Sequence, residues 1–483
     1  MPPQIPSRVT ASGHRSTSES DRVSPKEKFG IACGRMVSDG TLGALHVLIN
    51  PIYNMTFGLN PALISTVVFI QRLWDAMLDP FCGQFSDNFR SRWGRRIPLI
   101  VVSAPMIAVL FVAIWWFPAD AGEAHLFWHL LCVSLLFFVA HAVFAMSVGG
   151  LFVEATSDYH ERTRLASLAL AFGFAFLILS QWFYPLTQFS VFPSTVSGIR
   201  WVAVGCAVIF LIAGLMPAFL CHERNYAQVA ARQPKVSLLA NLRVVRNNRP
   251  FMFLISARFS ACFGYNIVGI LFFYMNGYYV FGGDLKRAAV AFGVVGSSFQ
   301  IAALLTTLFV YPYLIKHFGK RRVLQMASCV LIFGCICKLI VYQPEQPWLQ
   351  LIVISCNGIA NAGFSIAALA MLGDIADYDE LHTGLRREAV FTSLLNWFEK
   401  AGNSFGSLIA GFVLVWIGFD AKLGAQSGQT LMLMKFLYFL IPLIGALLSL
   451  IFIQRYELSE ERVYQIKDEL ARRHAEQPIT KTT

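Results

Sequence analysis

The sequence predicts an all-α membrane protein, with twelve transmembrane helices in two pseudo-symmetric six-helix bundles and both termini cytoplasmic. Three observations predict it. Hydrophobic residues make up 56% of the 483-residue chain and charged residues only 14%, against roughly a quarter charged in soluble domains. The apolar residues form long continuous runs, which suit helices of ~20 residues and not the alternating segments of about ten residues found in membrane barrels. A span followed by a short basic turn with a glycine also occurs twice, at equivalent places in the two halves.

Spans are predicted at 29–53, 61–87, 97–117, 126–154, 165–189, 199–220, 251–277, 288–315, 323–342, 348–374, 389–418 and 430–453. Orientation follows from Lys and Arg, which favour cytoplasmic loops. They gather in the N-terminal tail, after span 2 (Arg90, Arg92, Arg95, Arg96), between spans 6 and 7, and after span 8 (Lys316, Lys320, Arg321, Arg322), while loops 54–60, 118–125 and 343–347 have none. Residues 1–28 are polar, rich in Ser, Thr and Pro, and lack the apolar core of a secretory signal, so a disordered cytoplasmic tail is expected. The 29–220 and 251–453 bundles are joined by a cytoplasmic linker, 221–250. In the tail 454–483, Ser459 is placed to cap a short helix with Val463, Ile466 and Leu470 on one face.

The net charge of +11 sits in these loops and tails, so topology accounts for it and a nucleic-acid partner is not indicated. The ten cysteines lie mostly in apolar spans without CxxC spacing and read as small core residues. No Walker loop, nucleophile–base motif or metal cluster is present, so an enzyme has no support and no cofactor is implied.

The chemistry is expected where charge enters the membrane. Span 2 carries Arg72, Asp75, Asp79 and Pro80, and the two carboxylates, four residues apart, share a helix face. Charged residues at bilayer depth are expensive and survive mostly on ion or substrate paths. At 1.5 Å per residue, Asp39 lies ~14 Å into span 1, Asp75 ~18 Å from the cytoplasmic end of span 2, and Lys400 ~16 Å into span 11, all near the middle of a ~30 Å core. His46 and His141 fall at similar levels. The structural alternatives are an Arg72–Asp75 ion pair, a snorkelling Lys400 and hydrogen-bonded core histidines. Asn357, Asn361, Asn396 and Asn403 could be helix–helix contacts, while Trp397, beside Lys400, is a candidate for lining the cavity. At the cytoplasmic rim, Asp87, Arg90, Arg92, Arg95 and Arg96, then Glu154, Asp158, Arg162 and Arg164, then Asp374, Asp377, Arg386, Arg387 and Glu388 between spans 10 and 11, form carboxylate–arginine clusters suited to gating.

Three motifs carry a resemblance: Arg72-Leu-Trp-Asp75-Ala-Met-Leu-Asp79-Pro running on to Arg95-Arg96; Glu154-Ala-Thr-Ser-Asp158-Tyr-His-Glu161-Arg162; and Asp374-Ile-Ala-Asp377-Tyr378 with Arg387-Glu388 and Lys400-Ala-Gly402. The chain resembles the glycoside–pentoside–hexuronide:cation symporters of the major facilitator superfamily. The resemblance implies the major facilitator fold, alternating access, and sugar uptake driven by a proton or sodium gradient. It implies cation binding at Asp75 and Asp79 with Lys400 nearby, and sugar binding at Asp39, with His46, His141, Asn396 and Trp397 as further substrate-site candidates. This chain departs from the family's best-known permease at Ala145, Gly149 and Leu170, where that pattern has an Asp, a Trp and an Arg. Sodium needs several oxygen ligands, whereas a proton needs one carboxylate with a raised pKa, so Ala145 favours proton coupling over sodium. Lysophospholipid or other amphiphile transport, and a non-transporting sugar sensor, are the competing functions. A monomer in a bacterial inner membrane is expected.

Overall fold

A computed structural model of the chain describes residues 22–89, 91–92, 94–118, 120–156, 159–222, 248–384, 387–420, 423 and 425–476. Every regular element among them is helical. In chain order these are α1 (Pro25–Ile49), α2 (Pro61–Asn88), α3 (Ile97–Ile114), α4 (Glu123–Glu154), α5 (Tyr159–Ser180), the short α6 (Phe183–Thr187), α7 (Thr195–Leu220), α8 (Arg249–Tyr274), α9 (Leu285–Leu305), α10 (Tyr311–Phe318), α11 (Lys320–Val341), α12 (Gln350–Thr383), α13 (Glu388–Trp416), α14 (Gly428–Gln454) and α15 (Glu460–Glu476). Three π-helical turns prolong helices: Asn50–Thr56 after α1, Met275–Val280 after α8, and Thr306–Val310 between α9 and α10.

Ten helical stretches among the described residues are long and apolar enough to cross a membrane. The long helices α1 and α13 are not among them. Each carries polar and charged residues in its middle, Arg35 and Asp39 in α1, Glu399, Lys400 and Asn403 in α13.

Local chemistry sets the helix starts. α1 begins at Pro25, ahead of the predicted 29, because Ser24-Pro25-Lys26-Glu27 is a capping box: the Glu27 N–H donates to Ser24 Oγ and the Ser24 N–H to Glu27 Oε2, both at 3.2 Å. Asn60, Ser194, Asn248, Asp284 and Ser427 cap α2, α7, α8, α9 and α14 by side-chain acceptance. Ser459 caps α15, whose Ile466 and Leu470 are buried. α12 runs past the predicted end of span 10 to Thr383 and stops at Gly384, at φ 70°. Asp374 and Asp377 are therefore helical, not in a loop: the hydrogen-bonded helix continues beyond the apolar run.

The chain divides into two compact units, Met1–Ile49 with Trp74–Gln233, and Asn50–Leu73 with Pro234–Thr483. In the first, α1 packs on α4, α5 and α7, and α3 on α4 and α7. Its core is aromatic: Phe210 meets Phe111 edge-on at 5.2 Å and Phe176 at 5.5 Å. In the second, α8 packs on α13 and α14, α11 on α12 and α14, α9 on α12, and α15 on α12. α13 approaches α8 closely because Gly402 and Gly406 face it. A Cβ on them would lie 2.9 Å from the Phe259 carbonyl oxygen and 2.7 Å from that of Phe263. Small residues four apart allow such contact in membrane helices.

The basic turns of the two halves share one backbone device. Gly94, before α3, has φ 97° and Gly319, before α11, has φ 77°, a region that non-glycine residues rarely adopt.

Candidate functional site

In the first unit, polar groups meet where α1, α4 and α5 pack. Asp39 Oδ2 accepts from Arg35 Nε at 2.8 Å, one turn back on α1. Gly173 of α5 leaves room for the carboxylate: a Cβ there would lie 3.2 Å from Asp39 Oδ2. Arg35 was not singled out from the sequence, although its i, i+4 spacing to Asp39 was the available signal. His141 is buried; its Nε2 donates to the Ser38 carbonyl at 2.8 Å and its ring stacks on Phe137. Its ring is thus held as a hydrogen-bonded core group. His46 is half-buried on α1.

Asp75 is 3% exposed on α2. Beside it, Trp74 Nε1 donates to the Leu135 carbonyl of α4 at 3.2 Å, and further along α2 Ser86 Oγ lies 3.5 Å from Ser147 Oγ of α4. Arg72 is half-buried. Asp79 belongs to α2, one turn beyond Asp75; its side chain, like those of Asp87 and Glu388, lies outside the described set, as do Arg90, Asp158 and Arg386 altogether.

In the second unit the seam of α8, α12 and α13 is polar. Arg258, with a side chain only 4% exposed, grips the Glu399 carboxylate with two donors, Nη2 to Oε1 at 2.6 Å and Nε to Oε2 at 3.3 Å. Nη2 also donates to Ser365 Oγ at 3.1 Å. Asn266 Nδ2 donates to Asn403 Oδ1 at 3.2 Å and Asn266 Oδ1 accepts from Ser407 Oγ at 2.5 Å. Lys400 follows Glu399 on α13 and is half-buried, while Asn396 and Trp397 are exposed. Neither Arg258 nor Glu399 was picked out from the sequence. An Arg inside the apolar run 251–277 was the signal that could have found the pair.

The rim clusters form ion pairs within each unit. Glu154, at the end of α4, accepts from both Arg95 and Arg96; Arg96 Nη2 lies at 2.8 Å and Nη1 also donates to the Met146 carbonyl at 3.3 Å. In the second unit Asp374 of α12 takes Lys320 Nζ at 2.8 Å on both oxygens. Each basic turn thus binds a carboxylate near the end of the second helix after it. Arg387 binds Asp379 with two donors, at 2.8 and 2.9 Å. Its partner is therefore a residue the sequence reading passed over, because α12 continues far enough to present Asp379. Asp377 is buried and Arg92 exposed. Arg162 donates to the Thr156 carbonyl at 3.0 Å and Arg164 lies 3.5 Å from Glu161.

Glu161 ties the start of α1 to that of α5. It is 2% exposed, lies 2.6 Å from Lys28 Nζ, and accepts from the Val23 N–H at 3.1 Å. Burial by itself would raise its carboxyl, but the Lys28 and Val23 hydrogen bonds and the Lys28 and Arg164 charges outweigh it and hold the group below the ordinary carboxylate range.

A profile of the family described as MFS/sugar transport protein matches residues 30–460. The chain belongs to that family. The resemblance carried by the motifs of spans 2, 4 and 10–11 is borne out: this is a sugar symporter family of the major facilitator superfamily. Among relatives, the chain is similar to the isoprimeverose transporter of Lactiplantibacillus pentosus, 25% identical over 461 residues, 93% of this chain and 92% of that one. It is similar to the glucuronide carrier protein homolog of Escherichia coli K12, 22% identical over 437 residues, 89% of this chain and 92% of that one. Among solved structures, the nucleoside transporter NupG superposes with a TM-score of 0.63 at 15% identity, covering 90% of this chain and all of that one. At that identity the superposition shows the shared transporter fold.

Proposed function

We propose that this family member is a secondary active symporter with twelve transmembrane helices, both termini cytoplasmic, acting as a monomer in a bacterial inner membrane. It imports a glycoside, pentoside or hexuronide by alternating access, with the proton as coupling ion. The observation that carries this reading is Asp75, a carboxylate almost wholly buried on a helix that is apolar enough to cross a membrane. Such a group is costly in a bilayer and is retained where an ion or substrate passes. Relatives named for isoprimeverose and for a glucuronide favour sugars over lipids as cargo.

The division of labour follows from the residues. Asp75 and Asp79 take the coupling ion. Asp39 accepts hydroxyl hydrogen bonds from the sugar, and Arg35 holds its carboxylate while leaving lone pairs open. Ala145 in α4 offers no side-chain oxygen, which disfavours a multi-ligand sodium site and leaves the proton. Uptake of radiolabelled sugars into proteoliposomes tests this. Accumulation should follow an imposed pH gradient and collapse with a protonophore. A strict sodium requirement at constant pH gradient would overturn the choice of ion, and no sugar uptake under either gradient would overturn the function.

A further inference from the structure

We propose that a small cavity inside the second unit, where Arg258, Cys262, Tyr265, Asn357 and Asn361 meet, is a subsite for one hydroxyl of an uncharged sugar. This rests on the transport reading above and narrows it to neutral glycosides and pentosides over hexuronides.

The cavity lies among α8, α11 and α12, and Ala261, Leu331, Ala360 and Phe364 give it a largely apolar wall. It has room for about one water-sized group, which is also the size of one sugar hydroxyl. Asn357 is 2% exposed, and its Oδ1 has no hydrogen-bond partner among the described residues. That oxygen faces Gly334 of α11, where a Cβ would sit 3.4 Å away. A buried amide oxygen without a donor is rare. A donor seated in the cavity would satisfy it, and the room there admits only a small one.

The charges select the class of ligand. A guanidinium in a sugar site would ordinarily recruit a carboxylate. Arg258 already holds one, because Glu399 takes two of its donors. A uronide carboxylate entering here would meet a neutralised arginine, and it has no hydrogen to give to Asn357 Oδ1. A hydroxyl both donates and accepts, so it satisfies Asn357 and leaves the ion pair intact. Glu399 is about a third exposed on its side chain (34%), so its carboxylate is also within reach of a neighbouring hydroxyl.

The experiment uses the full chain in proteoliposomes, with methyl β-D-xyloside and methyl β-D-glucoside as neutral probes and methyl β-D-glucuronide as the anionic one. Competition against sugar uptake gives relative affinities. The wild type should favour a neutral probe over the glucuronide by about tenfold or more. Glu399→Gln frees the arginine, so the ratio should move toward the glucuronide by a similar factor. Asn357→Leu should weaken the neutral probe by about tenfold, and one monodeoxy derivative that binds poorly to wild type should lose nothing further in this variant. Should Glu399→Gln fail to fold, the Asn357→Leu and deoxy-sugar comparison carries the test alone. A wild type that prefers the glucuronide, a ratio unmoved by Glu399→Gln, or deoxy penalties identical in wild type and Asn357→Leu would each overturn the subsite while leaving sugar transport standing. The last result would mean that the cavity holds only water. A wild type that takes up none of the sugars removes the transport reading itself.

Discussion

The guanidinium of Arg96 fills the space that a side chain at Gly150 would occupy, and from there it reaches Glu154 with Nε at 3.2 Å and Nη2 at 2.8 Å. Gly149, its neighbour, has no atom within 4 Å of an added Cβ. The two adjacent glycines on α4 therefore do different things. Gly150→Ala should displace Arg96 from Glu154, lower the melting temperature by several degrees and depress uptake, whereas Gly149→Ala should be nearly silent. Thermal unfolding of the two variants in detergent, side by side, checks this; equal effects would show that Arg96 does not depend on the gap.

Glu154 pairs with both Arg95 and Arg96, and all three side chains are buried. Removing one partner of a buried pair leaves uncompensated charge, at a cost of about 3–5 kcal/mol. Glu154→Gln should be destabilised in that range. Asp374→Asn should cost less, because its partner Lys320 is a third exposed. Unfolding of both variants under one detergent condition gives the order.

Asp75→Asn and Asp79→Asn should each abolish uphill accumulation, with the accumulation ratio falling to unity, while downhill exchange of preloaded sugar persists. Counterflow and gradient-driven uptake in the same vesicles separate the two. Full accumulation by both variants would remove the span-2 carboxylates from coupling.

Asp39→Asn should weaken sugar affinity by about tenfold or more, since a hydrogen bond to a charged group is worth about 1.5–3 kcal/mol. The pH dependence of transport should be unchanged. Arg35→Gln should have a milder effect of the same kind, because the Arg35–Asp39 pair is half exposed and mainly orients the carboxylate. A changed cation response with unaltered affinity would reassign Asp39.

The Glu161 carboxyl is held below its ordinary pKa in the folded protein. Its stabilising contribution is therefore complete above the unfolded carboxylate value of about 4.3, and is lost as pH falls through the lower folded value. The wild type should lose thermal stability on acidification through that window. Glu161→Gln should be less stable at neutral pH and should show a shallower acid loss. Melting curves from pH 7 to pH 3 measure both.

Much of this was legible because cost leaves a trace in sequence. Asp75 stands out in an apolar run, and the repeated basic turn announces itself by Gly94 and Gly319, whose backbone no other residue would readily take. Pairing was harder to read. Sequence shows that Arg387 and several carboxylates are near one another, but which one it meets depends on how far α12 continues, and hydropathy ends that helix too early. Arg258 could be noticed in its apolar run, but its pairing with Glu399 could not be read for a different reason: they lie 141 residues apart, and only the packing of α8 on α13, made close by Gly402 and Gly406, brings them together. The early start of α1 was readable in Ser24 to Glu27, but the polar tail preceding it masked the capping signal.

The π-helical turns at Asn50–Thr56 and Met275–Val280 each follow the first long helix of their half. A π turn fits more residues into one revolution than an α turn does, so each is in effect an insertion already absorbed. Deleting one residue inside α1 would rotate everything beyond it by about 100° and turn Asp39 or its neighbours out of the packed face. Deleting one residue within Asn50–Thr56 would let the segment relax to ordinary α-helix. Like the third π turn at Thr306–Val310, these two short stretches are thus places where this lineage could change chain length by a single residue without rebuilding a span.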